Sequence, residues 1–425
     1  MGVPMTLHLT PRDDEMLRGE HGPAAKMAMS IVARMAEVAR AAELLDITAA
    51  HIDSTIYVGQ AGLEFAERLA SLGAKVTVPT TLNVSGLDEH GWREWAVPGD
   101  WAERAHRQMI AYQSMGTIPT WTCAPYQTEH RPVFGQQIAW GESNAIVFAN
   151  SVIGARTERY PDLFDICCAI TGRAPAIGLH LTENRRGQWL FRLAAIPEEL
   201  QRQDEFYPVL GHLVGKCAGD KIPVIDGIAI APDEDQLKAF GAATASSGGV
   251  AMFHMIGVTP EARTLEDAFQ GQEPAQIFQV TMDALREARR ELSHAEGDDL
   301  DMVVLGSPHF SPAEFARLAL LLRGRRKHPA VRFLVTCSRA TVQIARRAGS
   351  LEALRDFGGQ ITVDTCILAS PMLPDEIRHL MTNSAKFAYY TPGLLKRQIA
   401  FGSLEDCVES AVQGCIVRDD ARWKG

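Results

Sequence analysis

The 425-residue sequence contains no Cys-x-x-Cys pair, no glycine-rich phosphate loop, no apolar run approaching a membrane span and no excess of positive charge. Each absence removes a class of function. Without Cys-x-x-Cys, the eight cysteines carry neither a zinc-ribbon signature nor a local dithiol redox motif. GGV at 248–250 and GARTER lack the spacing and strand context of either nucleotide-binding fingerprint. Lys and Arg number 42 against 52 Asp and Glu, a net charge of −10. A general affinity for nucleic acid or anionic membrane needs a basic face, so neither partner is expected and small-molecule work is favoured. MGVPMTLHLT lacks the basic start and apolar core of a secretory signal, and Gly2 with Thr6 fits only the short, frequent myristoylation pattern. A cytoplasmic protein with reduced thiols is expected.

With 46% apolar and 22% charged residues, the composition is that of a globular protein with little room for disorder. The length exceeds the size at which one hydrophobic core stops growing, so two or three lobes are expected. The clearest organisation lies between Leu300 and Thr391, where MVVLGSPHF, RFLVTCSR and ITVDTC alternate with helical runs. These apolar strands end in Ser307, Cys337 and Cys366, spaced by about thirty residues, the length of one strand-helix unit. Crossovers of one hand put all the carboxyl ends of a parallel sheet on one edge, where open α/β sheets bind ligands. The sequence therefore predicts an α/β fold in several lobes, with parallel or mixed sheets flanked by helices. Residues 298–425 form a doubly wound lobe and residues 1–297 an N-terminal α/β region of two lobes.

Within that region an alanine-rich helix occupies AAKMAMSIVARMAEVARAAELL, and HIDSTIY, GLEFAERLASLG and KVTVPTTLN read as strand, helix and strand. Thr80, Thr81 and Asn83 fall at the second strand's carboxyl end, as ligands or as turn residues. DWAERAHRQMIAYQSMG is a helix, and the segment from Thr117 to Arg159 has little periodicity. Its irregular backbone needs partners for its amides. Cys123 lies there. Asn150, Ser151, Arg156 and Thr157 surround the turn SVIGAR, which is either an anion-binding turn or a helix cap with a surface arginine. Cys167 and Cys168, adjacent on a helix, point about 100° apart and read as core thiols. APAIGLHLT is expected to be a strand, and ASSGGVAMFHMIGVTPEA a strand with His254 at its end, a loop and a helix start. Cys407, on the helix SLEDCVESAV, and Cys415 read as structural. Cys123, Cys337 and Cys366 remain in loop or strand-end positions, as soft metal ligands or as buried inert thiols.

GLEFAERLASLGAKVTVPTTLN, TCAPYQ, AWGESNAIVFANSVIGARTER, FHMIGVTPEA, GSPHFSPAEF, VTCSRA, DTC and NSAKFAYYTPG, in this order along nearly the whole chain, resemble the aconitase X family in its large-subunit form. The resemblance implies an aconitase-like fold and a hydro-lyase with an iron-sulfur cluster, its ligands carried over as Cys123, Cys337 and Cys366. Ser307 stands where archaeal members tend to have cysteine, which leans the reading toward cis-3-hydroxy-L-proline dehydration and away from mevalonate 5-phosphate. A catalytically idle iron-sulfur or redox-sensing protein is the alternative from another class. Candidate substrate-binding residues are Asn150, Ser151, Arg156, His254, Ser307, His309 and Lys386. The resemblance also implies a partner, a small subunit carrying a swivelling domain that supplies the general base.

Overall fold

The computed structural model describes residues 7–193 and 195–424, so Gly2 and Thr6 lie outside the described residues. The chain begins with helices Pro11–Arg18 and Pro23–Val38. Thr10 caps the first by accepting from the Asp13 amide, while Asp13 reaches back to the Thr10 amide, so two otherwise orphaned amides are satisfied reciprocally. An antiparallel ribbon of β1 (Leu44–Asp46) and β5 (Arg173–Pro175) brackets a parallel sheet of β2 (Ala50–Ile52), β3 (Thr80–Leu82) and β4 (Ala139–Trp140), ordered β3-β2-β4. A second parallel sheet follows, of β6 (Trp189–Leu193), β7 (Pro223–Asp226), β8 (His254–Met255) and β9 (Gln276–Val280), ordered β8-β7-β6-β9.

The third sheet positions the site. It comprises β10 (Met302–Phe310), β11 (Arg332–Cys337), β12 (Gln360–Val363), β13 (His379–Thr382) and β14 (Gln398–Phe401), all parallel and ordered β12-β11-β10-β13-β14. The chain winds outward from β10 to one edge, then returns to the other side of β10. Between β10 and β13 the winding direction reverses, and a crevice opens at their carboxyl ends.

This sheet is buried on both faces, which is why its strands read as continuous apolar runs. Alternate residues enter different cores. Met302, Val304, Leu334, Leu380 and Ile399 join the large core shared with the rest of the chain. Val303, Leu305, Phe333, Val335, Cys337, Met381 and Ala400 join a separate core under helices Pro312–Leu322, Ser350–Phe357 and Leu404–Gln413.

Several local expectations are corrected. Strand counting found three strands in this sheet and missed β13 and β14, whose four residues each are too short to show a period. The proline-punctuated stretch after Cys366 forms a single 3-10 turn at Ile367–Ala369, because Pro371 and Pro374 withhold the amides a longer helix needs. APAIGLHLT contributes only the end of β5 before turning at Gly178–His180, and ASS closes helix Glu234–Ser247.

Candidate functional site

A cavity of about 210 Å³ opens at the carboxyl ends of β10 and β13 and is closed from above by loops that follow β2, β3 and β12. The carboxyl half of β10 itself supplies Gly306, Ser307 and His309. Gly306 sits at φ +94°, and a Cβ there would lie 2.1 Å from the Thr336 carbonyl, so the strand can pass this point only without a side chain. The first region contributes Asp53, Asn83, Cys123 and Glu142, the loop after β12 contributes Thr365 and Cys366, and the helix after β13 contributes Lys386.

Both cavity cysteines sit in the same local frame. Trp121-Thr122-Cys123 and Asp364-Thr365-Cys366 each begin with a non-glycine residue in the left-handed region, at φ +44° and +62°. Such backbone persists only where surroundings over-determine it, and it clusters at functional sites. Here the determinants are visible. Arg339 grips Asp364 through two donors at 2.9 and 2.5 Å and also reaches Glu89. The Ser85 amide donates to the Asp364 carbonyl, and Asp88 accepts from Thr362 and the Val363 amide. Burial raises the Asp364 acid to about 6 despite the guanidinium beside it.

His309 ties the two cysteine loops together. Its Nε2 lies 3.0 Å from the Thr365 carbonyl, which can only accept, so Nε2 carries the proton. Nδ1 is then the acceptor for the Thr122 hydroxyl at 3.0 Å, and the His309 amide donates to Cys123 Sγ at 3.3 Å. Burial lowers its pKa to about 4, in keeping with a neutral ring that braces the first region against the third.

Basic charge in the cavity is sparse and paired. Lys386 Nζ lies 2.6 Å from Glu142 Oε1, both side chains being largely buried. Burial works against the ammonium, but Glu142 and the two thiols outweigh it and hold Lys386 charged. Burial pushes the Cys123 thiol up to about 12 and also raises Cys366, while Lys386 pulls both down and Cys366 opposes ionisation of Cys123. Two thiols close enough to couple, beside a fixed cation, are a donor pair that a metal cluster would convert to thiolates. Ser307 lines the same wall with a hydroxyl that takes no hydrogen bond from the described residues.

The sequence-derived candidates divide sharply. Cys123, Cys366, Ser307, His309 and Lys386 meet at the cavity. Cys337 does not. Thr336 faces the cavity, so its neighbour on the strand faces away, and Cys337 is fully buried among Phe310, Val335 and the helices behind the sheet. Asn150, Ser151, Arg156 and His254 also lie elsewhere, in a polar joint between the first and second sheets. Asn150 bonds the Thr157 and Ala251 carbonyls, Ser151 accepts from the Phe253 amide, Arg156 donates to the His180 carbonyl and Thr182, and His254 bonds the Arg185 carbonyl. Main-chain carbonyls and amides take most of these groups, although Arg156 also uses the Thr182 hydroxyl and His254 Nδ1 is buried without a partner. Asp53 and Glu142 escaped sequence reasoning, since each follows a strand too short to show a period, and Thr365 carries no signal beyond that of its neighbour Cys366. Among the described residues no group of three or more His, Cys, Asp or Glu side chains is gathered as a metal site.

Fold and site together define a multi-lobed α/β protein of the aconitase type, with a thiol-bearing cavity at a winding reversal. Family models for the first, second and third domains of aconitase X match residues 6–183, 187–290 and 300–413. The chain belongs to the aconitase X family. It is 51% identical over 406 residues to the cis-3-hydroxy-L-proline dehydratase of Pseudomonas aeruginosa, covering 95% of this chain and 69% of that one. Identity to the enzyme of the same name from Hypocrea jecorina is 46% over 414 residues, covering 96% and 69%. The phosphomevalonate dehydratase large subunit of Methanothermobacter thermautotrophicus is 36% identical over 392 residues, covering 91% and 94%. The crystal structure of Thermococcus kodakaraensis aconitase X in its holo-form superposes with a TM-score of 0.86 at 32% identity, covering 95% of this chain and all of that one. The Pseudomonas, Hypocrea and Methanothermobacter relatives are named as dehydratases, enzymes of the hydro-lyase class. No helix among the described residues is long and apolar enough to cross a membrane.

Proposed function

We propose that this chain is the substrate-binding and cluster-bearing part of a cytoplasmic hydro-lyase that converts cis-3-hydroxy-L-proline to pyrroline-2-carboxylate. The observation that carries the reading is the cavity itself, which sets two coupled thiols and one buried ammonium around a space sized for a small acid.

The reaction removes a proton from the carbon bearing the carboxylate and expels hydroxide from its neighbour. The resulting enamine tautomerises to the cyclic imine. Negative charge spreads into the carboxylate as the proton leaves, and Lys386, charged and shielded from solvent, is placed to stabilise it. Cys123 and Cys366 would hold an iron-sulfur cluster, with Ser307 as an oxygen donor from the same wall, and the bound cluster would supply Lewis acidity toward the departing hydroxyl. Cys337 is left out of this ligand set because its sulfur belongs to the core behind the sheet. His309 fixes the spacing of the two cysteine loops and stays neutral, so it adds no second cation.

That charge count separates the substrates. A phosphate carrying about two negative charges wants several basic groups. Lys386 is the one lysine or arginine among the residues lining the cavity, and Arg156 lies outside it. Mevalonate 5-phosphate is the second reading, favoured by the relatives named phosphomevalonate dehydratase. A partner completes the site. The two hydroxyproline dehydratases extend well beyond the part this chain matches, and the archaeal relatives are named large subunits. We infer that a small subunit with a swivelling domain brings the general base.

The test is anaerobic purification with iron and acid-labile sulfide counted per chain, followed by assay of the assembled enzyme on both substrates. Cluster content with turnover of cis-3-hydroxy-L-proline is expected. Turnover of mevalonate 5-phosphate alone overturns the substrate, and a loaded cluster with neither activity supports an idle iron-sulfur or redox-sensing protein.

A further inference from the structure

The cavity has a second pole that the chemistry above does not use. Asp53, at the end of β2, lines it opposite in sign to Lys386. Its Oδ1 accepts from Asn83 Nδ2, and its Oδ2 takes no hydrogen bond from the described residues. No lysine, arginine or histidine among them lies within ion-pair distance, whereas Glu142, the other cavity carboxylate, is matched by Lys386 and by the Asn144 and Ala145 nitrogens. Asn83 is 1% exposed, and its Oδ1 is buried without any partner. A buried acceptor left without its hydrogen bond is costly, so such an atom beside a cavity marks a ligand contact.

Asp53 is also held in place from behind. Its amide donates to Asp165 Oδ2 at 2.6 Å, Ser54 donates to the other Asp165 oxygen, and Tyr112 donates to Ser54. A Cβ on Gly141 would come within 2.8 Å of the Asp53 Cβ, so the loops pack this closely only around glycine. Burial together with the carboxylates of Glu142, Asp162 and Asp165 drives the Asp53 acid well above its ordinary range, a penalty that a cationic ligand would relieve.

We propose that Asp53 and Asn83 form the recognition site for the ring ammonium of the substrate, with one N–H of the secondary ammonium on Asp53 Oδ2 and the other on Asn83 Oδ1. A secondary ammonium has two donors, matching the two open acceptors. With Lys386 on the carboxylate, the cavity is complementary to a cyclic amino acid zwitterion and rejects acids that lack the cation. The inference rests on the hydroxyproline reading and names the residues that set its specificity.

The experiment measures binding of L-proline and of tetrahydrofuran-2-carboxylate, which replaces the ring ammonium by an ether oxygen, to the assembled enzyme by calorimetry. Wild type is expected to prefer L-proline by about tenfold or more, as a charged hydrogen bond warrants. Asp53→Asn is expected to bring the two affinities within about threefold of each other, and Asn83→Ala to narrow the gap by a smaller factor. If Asp53→Asn does not fold, Asn83→Ala decides the matter alone. A full preference retained in the folded variants overturns the proposal, and so does a loss of kcat with the preference intact, which assigns Asp53 to proton transfer. Binding of neither ring acid by wild type, with turnover of mevalonate 5-phosphate, overturns the substrate reading and this inference with it.

Discussion

Removing the His309 ring tests whether the two cysteine loops are held by one brace. His309→Ala deletes the Nε2–H bond to the Thr365 carbonyl and the acceptor for the Thr122 hydroxyl, both 3.0 Å contacts between buried groups. Each buried group left without its partner costs about 1–3 kcal/mol, so the joint between the loops loses about 2–6 kcal/mol. Because the partners lie in different lobes, the loss is local before it is global. Hydrogen exchange should show faster amides at 122–124 and 364–368 while β10 to β14 keep their protection, and the anaerobically purified variant should hold less iron. His309→Gln offers an amide donor and a carbonyl acceptor in the same place and should restore much of both. Wild-type protection in the alanine variant, or a glutamine variant as damaged as alanine, would refute the brace.

Cys123→Ser and Cys366→Ser should each strip the chain of iron, whereas Cys337→Ala should retain it and lose only about 1–2 kcal/mol of stability from a small core void, read by metal analysis and denaturant unfolding. Lys386→Met leaves Glu142 buried without its cation, a loss of about 3–5 kcal/mol along with activity. Adding Glu142→Leu should recover much of the stability and none of the activity. The neutral His309 ring, its pKa lowered from 6.5 to about 4 by burial, binds a proton less readily folded than unfolded. Its contribution is therefore present above about pH 6.5 and lost as pH falls toward 4, about 3 kcal/mol in all. Against wild type, His309→Gln should show a flatter loss of stability across that window, and an unchanged slope would contradict the assignment.

The α/β class, the parallel third sheet and the placing of a crevice at its carboxyl edge were legible in the sequence, because buried parallel strands and the crossovers between them leave apolar runs at regular spacing. So were the four candidates that share the cavity with Cys123. Ser307 and His309 lie in the carboxyl half of β10, and Cys366 and Lys386 follow β12 and β13, so strands of that sheet carry all four to its edge. What the sequence did not decide was direction. Cys337 ends a strand as Ser307 and Cys366 end theirs, yet side chains alternate along β11, and the register that aims Thr336 at the cavity buries the thiol in the opposite core. Asn150, Ser151, Arg156 and His254 carried the right chemistry, but a polar joint between sheets consumes the same donors and acceptors as a ligand would. Asp53, Asn83 and Glu142 follow strands two to three residues long, and only the packing of three lobes around one winding reversal brings these polar groups to face Lys386. Local sequence set the elements and the thiols; the choice of which polar groups meet across the cavity came from tertiary contacts, because charge complementarity is a property of distance in space and not of separation along the chain.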